Sequence, residues 1–272
     1  MRNNGDVTFH ENSDGQTLLR RHWPANEPTA AILGVHGIGE HSGRYEQLGQ
    51  TFAGSGFDTE FFDLRGHGQS AGRRGYIASY EQFHDDIEHR LNLRRRLEVP
   101  VVLLGHSLGG LIVASYLLSG RPQPDLVVLS APAFGSSHSD FDRGLAKFMG
   151  KVAPKVFVKR TTDPAILSQD PEIGAAWKND ELVVEGTTGA LAANSFREMQ
   201  LVSPRLNELT LPTYVLHGEA DELVPIRVSE PLEGRPNVTY RRWPEMRHEC
   251  FNEVGREAVL TEVADWITAN VS

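Results

Sequence analysis

Val101-Val102-Leu103-Leu104-Gly105-His106-Ser107-Leu108-Gly109-Gly110-Leu111-Ile112-Val113-Ala114-Ser115 is the stretch that decides the fold. An apolar run of strand length, 101–104, enters a Gly-X-Ser-X-Gly pentad, and a helical stretch, 111–119, leaves it toward Gly120. A serine at the tip of a sharp strand-to-helix turn needs a strained backbone. Side chains two positions to either side would collide there, which explains Gly105 and Gly109 at that spacing. The helix that follows offers free N–H groups to a developing oxyanion. A bare pentad arises by chance, but the strand before it and the helix after it make Ser107 a candidate nucleophile. The plain alternative is an ordinary glycine-rich turn.

Outward from this point the chain alternates. Residues 7–9 and Thr17–Trp23 flank Asn12-Ser13-Asp14-Gly15 and predict a hairpin. Ala30–Val35 and Phe57–Phe62 are short apolar runs suited to strands buried on both faces. A glycine-rich loop, 36–43, follows the first of them. Helices are predicted over 45–53, closed by Gly54 and Gly56, and over 80–98, ending before Pro100. Leu126–Ser130, 213–216 and Val238–Trp243 read as further strands, and 256–269 as a last amphipathic helix. The expected architecture is α/β, a mainly parallel sheet with helices on both faces. Between Ser130 and Thr213 the rhythm breaks, no strong strand is visible, and helices are predicted over 141–152, 170–178 and 187–206. We therefore expect a core of residues 1–131 and 207–272 and an inserted helical cap, 132–206.

Composition narrows the function. At 272 residues the chain can bury a large core. A net charge of −9 argues against nucleic acid, whose phosphates need clustered Lys and Arg. One cysteine, Cys250, excludes an internal disulfide and a multi-thiolate metal site. No apolar run reaches the ~20 residues of a membrane span, and the first residues lack the apolar region of a secretion signal. A soluble, cytoplasmic protein is expected, open to peripheral contact with a membrane.

A serine hydroxyl needs a base oriented by a carboxylate. Of eleven histidines only His217 and His248 follow the cap. His217 ends a strand and reads as a turn-shaping residue, whereas His248, in the loop between the 238–243 strand and the last helix, is favoured as the base. Asp221, in His217-Gly218-Glu219-Ala220-Asp221, is favoured as the acid, with Glu219 and Glu222 competing. The plain alternative for Asp221 is a helix cap or turn residue.

Several segments together resemble the monoacylglycerol lipase group of serine hydrolases in the α/β-hydrolase superfamily. They are His36-Gly37-Ile38-Gly39-Glu40-His41-Ser42-Gly43-Arg44-Tyr45, Asp63-Leu64-Arg65-Gly66-His67-Gly68-Gln69-Ser70, Gly105–Gly110, the region 216–225 around Asp221, and His248-Glu249-Cys250-Phe251-Asn252-Glu253. The resemblance implies an α/β-hydrolase fold, a triad of Ser107, Asp221 and His248, and an oxyanion hole made by the backbone N–H groups of Ile38 and Leu108. The oxyanion assignment also fits the physics: Leu108 follows the nucleophile at a helix start, and Ile38 lies after the strand that supplies a second N–H, between two glycines.

Other residues take plainer readings. His36 and Gly37 brace the oxyanion loop, and 63–70 forms a loop-packing network. His106 is not expected to serve as the base, because side chains beside the nucleophile diverge at such a turn, while His41 or Glu40 could touch substrate hydroxyls. Neither Glu40-His41 nor His84-Asp85-Asp86 has metal-ligand spacing. Cys250 is either a thiol whose alkylation disturbs the site or a small buried hydrophobe. Residues 143–160 carry Arg143, Lys147, Lys151, Lys155, Lys159 and Arg160 and no acid, and Phe141, Leu145, Phe148, Met149 and Val152 share one helical face. Such a basic amphipathic helix suits a membrane surface. The alternative is a cap helix that packs its apolar face on the core.

The expected function is a serine hydrolase of carboxylic esters, first of all monoacylglycerols, needing no cofactor and no metal. Lysophospholipase, general carboxylesterase, thioesterase and aminopeptidase are rivals on the same fold. A dehalogenase is disfavoured because it would need Asp at position 107. A non-catalytic receptor is disfavoured because it would not need all three groups.

Overall fold

The computed structural model describes residues 5–137 and 139–271. Met1–Asn4, part of the stretch read above for a secretion signal, lie outside them. The described strands are β1 (Asp6–Glu11), β2 (Thr17–Trp23), β3 (Ala30–Val35), β4 (Phe57–Phe62), β5 (Val101–His106), β6 (Leu126–Ser130), β7 (Phe157–Lys159), β8 (Gly186–Thr188), β9 (Thr213–Gly218) and β10 (Val238–Trp243). The helices are α1 (Glu46–Gly54), α2 (Glu81–Arg94), α3 (Leu108–Leu117), α4 (Asp140–Val152), α5 (Pro171–Asn179), α6 (Gly189–Val202) and α7 (Arg256–Asn270).

Eight strands form one sheet in the order β1-β2-β4-β3-β5-β6-β9-β10. The hairpin strand β2 is antiparallel to both β1 and β4, and every pair from β4 to β10 is parallel. β3, β5 and β6 are wholly buried because both faces are covered. Alternate residues divide accordingly. Leu33, Val35, Leu103 and Leu129 join the core under α2 and α3, while Ile32, Val102, Leu104 and Val128 join the core under α1 and α7. Each fully buried Leu, Ile or Phe there contributes about 1.5–3 kcal/mol of transfer free energy.

At the β2–β4–α2 corner lies a buried ion cluster. Glu60 accepts from Arg20 and Arg90, with Arg94 also paired to it, and Asp58 takes Arg94 and His22. Burial alone would raise the Glu60 pKa, but the three arginines outweigh it and the carboxyl stays below its usual range. None of these bonds touches Ser107, Asp221 or His248.

Two predicted boundaries are corrected. Helix α3 begins at Leu108, three residues before the predicted start, because Gly109 and Gly110 are helical here despite their low propensity. The interval between β6 and β9 is not purely helical: β7 and β8 pair as an antiparallel ribbon, and the predicted 187–206 helix is only α6, followed by a 3-10 segment, Ser203–Glu208. Helix α4 does form, opened by a capping box between Ser139 and Asp142. Its apolar stripe does not pack on the core. Phe141, Leu145, Phe148 and Val152 are 78%, 49%, 58% and 59% exposed, and Val156, Phe157 and Val158 continue the exposed surface into β7.

Candidate active site

Strand β5 runs into Ser107, and α3 opens directly behind it. Ser107 sits at φ 53° and ψ −117°, a backbone that a non-glycine residue holds only when its surroundings enforce it. Its N–H donates to Ser130 O at 2.9 Å, and its carbonyl accepts from Ala133 N–H at 3.0 Å and Leu111 N–H at 3.1 Å. A Cβ at Gly105 would lie 2.5 Å from Gly109 O, and one at Gly109 would lie 2.1 Å from Val35 O. The pentad spacing thus answers to backbone carbonyls of the turn itself and of the end of β3.

Leu108 is the first residue of α3, so its N–H lacks an intrahelical partner. The loop after β3 comes close: a Cβ at Gly37 would lie 3.1 Å from Ser107 Cβ. The next residue is Ile38, whose side chain is partly exposed. Two buried groups hold this loop. His36 donates from Nδ1 to Gly37 O at 2.8 Å and accepts Leu64 N–H on Nε2 at 2.9 Å. Burial drops the His36 pKa to about 3, so it stays neutral as a brace. Glu40 accepts Gly37 N–H and the Tyr45 hydroxyl. Burial and then the neighbouring Glu249 raise its pKa, against the pull of Arg44. Arg44 donates from Nη2 to both oxygens of Glu249, at 2.9 and 2.7 Å, and lies over the Trp177 ring at 4.8 Å.

Asp221 follows β9, and His248 follows β10, so both arrive at the same carboxyl edge as Ser107. His248 Nδ1–H donates to Asp221 Oδ2 at 2.7 Å. Asp221 Oδ1 accepts the N–H groups of Leu223 and Val224, at 2.9 and 2.8 Å. His217 Nε2 lies 3.3 Å from Asp221 Oδ2 and donates to Val224 O at 2.8 Å, so it shapes the turn that presents Asp221. Burial would raise the Asp221 pKa, but the charge of His248 and the hydrogen bonds from both histidines outweigh it and keep the carboxylate ionised. For His248, burial disfavours the cation most strongly, yet Asp221, Glu249 and Glu40 together raise its pKa above 6.5. Glu219 and Glu222, the competing acids, are both exposed.

His106 is buried against His248. Its ring packs 4.8 Å from that of His248, and its Nδ1 meets Ser130 Oγ at 3.1 Å. Burial, followed by the charge of His248, pushes the His106 pKa well down, so it is a neutral wall against that imidazole. Glu40 and His41 are already committed: His41 accepts Gly43 N–H on Nδ1 and donates from Nε2 to Asp180 at 2.7 Å. Cys250 is fully buried, and burial pushes its thiol far up, so it behaves as a small hydrophobe. Reasoning from the sequence assigned no partner to Arg44, Glu249 or Glu253; their place in the two quoted motifs, 36–45 and 248–253, was the available signal.

Comparison with known proteins gives a consistent set. A family model described as serine aminopeptidase, S33, matches residues 26–255. A monoacylglycerol lipase of Mycolicibacterium smegmatis is 33% identical over 256 residues, covering 91% of each chain. Phospholipase YtpA of Bacillus subtilis is 29% identical, covering 88% of this chain and 95% of that one. The crystal structure of a Paleococcus ferrophilus monoacylglycerol lipase superposes with a TM-score of 0.85 at 30% identity, covering 93% of this chain and 99% of that one.

Proposed function

The chain belongs to the serine aminopeptidase S33 family and, within it, to the monoacylglycerol lipase group of α/β-hydrolases, and on that premise we propose that it is a serine hydrolase of lipid esters, releasing fatty acid and glycerol from monoacylglycerols. The observation that carries the reading is the buried Asp221–His248 hydrogen bond at the same carboxyl edge of the sheet as a serine held at positive φ. Ser107 Oγ attacks the acyl carbonyl, and His248 Nε2 takes its proton. The N–H groups of Ile38 and Leu108 receive the oxyanion, each worth about 10²–10³ in rate. His248 then protonates the leaving alcohol. Water, deprotonated by the same imidazole, resolves the acyl-enzyme, while Asp221 keeps Nδ1 protonated and stabilises the imidazolium.

The substrate is tested with a panel of mono-, di- and triacylglycerols, lysophospholipids, short-chain esters and aminoacyl amides at equal enzyme concentration. Monoacylglycerols should show the highest kcat/KM. A preference for lysophospholipids would move the reading toward the phospholipase relative, and turnover confined to amides would replace it with a peptidase.

We further propose that residues 132–206 form a cap whose α4–β7 surface meets the lipid. The exposed Phe141, Leu145, Phe148 and Val152 supply apolar area, and Lys147, Lys151, Lys155 and Lys159 are exposed on the same segment. Each Lys near anionic lipid is worth about 1 kcal/mol, screened by salt. The chain should therefore float with phosphatidylglycerol vesicles at low salt and detach as salt rises. Changing Lys147, Lys151 and Lys155 to Glu should weaken flotation and raise KM on aggregated lipid, leaving a soluble short-chain ester unaffected. The overall charge of −9 opposes this attraction. Equal binding to anionic and neutral vesicles, or none to either, removes the proposal.

A further inference from the structure

Residues 244–255, between β10 and α7, carry His248 on irregular backbone and a single 3-10 turn, Cys250–Asn252. Regular hydrogen bonding therefore does not hold the base in register. What ties this loop down is Glu253, which is fully buried. Its Oε1 accepts Arg247 N–H at 2.9 Å and Gln169 N–H at 2.9 Å. Its Oε2 accepts the Ser168 hydroxyl at 3.0 Å and the N–H of Val254 at 2.9 Å, and it shares Gln169 N–H at 2.9 Å. Four neutral donors converge on one carboxylate, two from the base loop and two from the segment before α5. Charge-assisted bonds of this kind compensate the burial of an anion.

The same segment reaches the base from both sides. Glu249 N–H donates to Leu167 O at 2.8 Å, and the Arg247 guanidinium donates to Ser168 O at 3.1 Å and to Ala165 O. Arg247 and Glu249 are the two chain neighbours of His248. Asn252 Nδ2 donates to Glu249 Oε2 at 2.9 Å, so the last two residues of the 248–253 motif have separate tasks. Asn252 steadies the carboxylate that takes Arg44, and Glu253 anchors the backbone. Only an ionised carboxylate has acceptor directions for all four donors; a glutamine would turn an NH2 group toward one pair of them.

We propose that Glu253 is a positioning residue for the reaction, setting through residues 168 and 169 where His248 stands relative to Asp221 and Ser107. The segment 165–169 is then part of the catalytic framework, although it lies within the proposed cap. This rests on His248 being the base.

Glu253→Gln should lower kcat on a soluble short-chain ester about 100-fold, the scale of a 1 Å misplacement, with KM changed less than about threefold. Its acid limb in kcat/KM should move to lower pH, because a base loosened from Asp221 loses what raises its pKa. Glu253→Asp keeps the charge and should recover part of kcat. Glu60→Gln, which disrupts the buried ion cluster at the other corner, should lower Tm without moving kcat or the acid limb. Ser168→Ala removes one neutral donor and should cost about fivefold in kcat. A Glu253→Gln protein with a lowered Tm but wild-type kcat and acid limb overturns the proposal. If that variant does not fold, an unchanged kcat in Ser168→Ala overturns it. His248→Ala separates the two readings: retained turnover there removes the base assignment itself, whereas a dead His248→Ala beside an unaffected Glu253→Gln removes only the positioning role.

Discussion

Asp221→Asn should fold and lose about 10⁴ in kcat, the scale known for the corresponding change in serine proteases. The hydrogen bonds say why the loss is so large for a change of one atom. Oδ1 is held by the N–H groups of Leu223 and Val224, so the amide must keep its oxygen there. Its NH2 group then occupies the place of Oδ2, facing His248 Nδ1 and His217 Nε2. Donor meets donor unless His248 changes tautomer. Nδ1 then becomes the acceptor, and Nε2 carries the hydrogen that prevents it from accepting the Ser107 proton. Glu219→Gln and Glu222→Gln, both at exposed positions, should cost far less. The pH profile supplies a second readout. Because Asp221 and the nearby carboxylates raise the His248 pKa, the acid limb of wild-type kcat/KM should lie at higher pH than an ordinary histidine would set. In Asp221→Asn the limb should fall to lower pH. A severe Glu222→Gln with a mild Asp221→Asn would assign the acid elsewhere.

Ser107→Ala should lose at least about 10³-fold in kcat while its Tm stays within a few degrees of wild type. The backbone bonds that enforce its positive φ run from Ser107 N–H to Ser130 and from Ala133 and Leu111 to Ser107 O, and the substitution touches none of them. What disappears is the nucleophile alone, leaving whatever rate the oxyanion donors and binding supply. A fluorophosphonate should label wild type at Ser107 only and leave the variant unlabelled. Labelling at another residue, or turnover retained in the variant, would end the assignment of Ser107.

Much of this site was legible in one dimension because its constraints are local. Gly105 and Gly109 announce the strained turn because the atoms they would strike are backbone atoms of that turn and of the adjacent strand. What the His106 ring meets was not legible, because the neighbouring loop decides it, and here it is the ring of His248. The ribbon was missed because three residues, Phe157–Lys159 or Gly186–Thr188, are too few to carry a period of two. The fate of the α4 stripe was undecided for a related reason. Periodicity reports that an apolar face exists, and only the packing of the surrounding segments leaves it facing solvent.

The strands of the parallel sheet, the elbow at Ser107 and the chain positions of Asp221 and His248 after it are legible in the residues alone. These follow from burial on both faces, from steric limits on one turn and from spacing along the chain. Only the tertiary structure decided which groups hold the site together. Arg44 meets Glu249 across 205 positions, His41 meets Asp180 across 139, and Ser168 meets Glu253 across 85. A buried carboxylate requires donors, but nothing local to Glu40, Glu249 or Glu253 specifies which ones. That choice is made when the sheet order brings the loop after β3, the segment before α5 and the loop after β10 to one edge, where each buried charge must find its partner or remain unsatisfied.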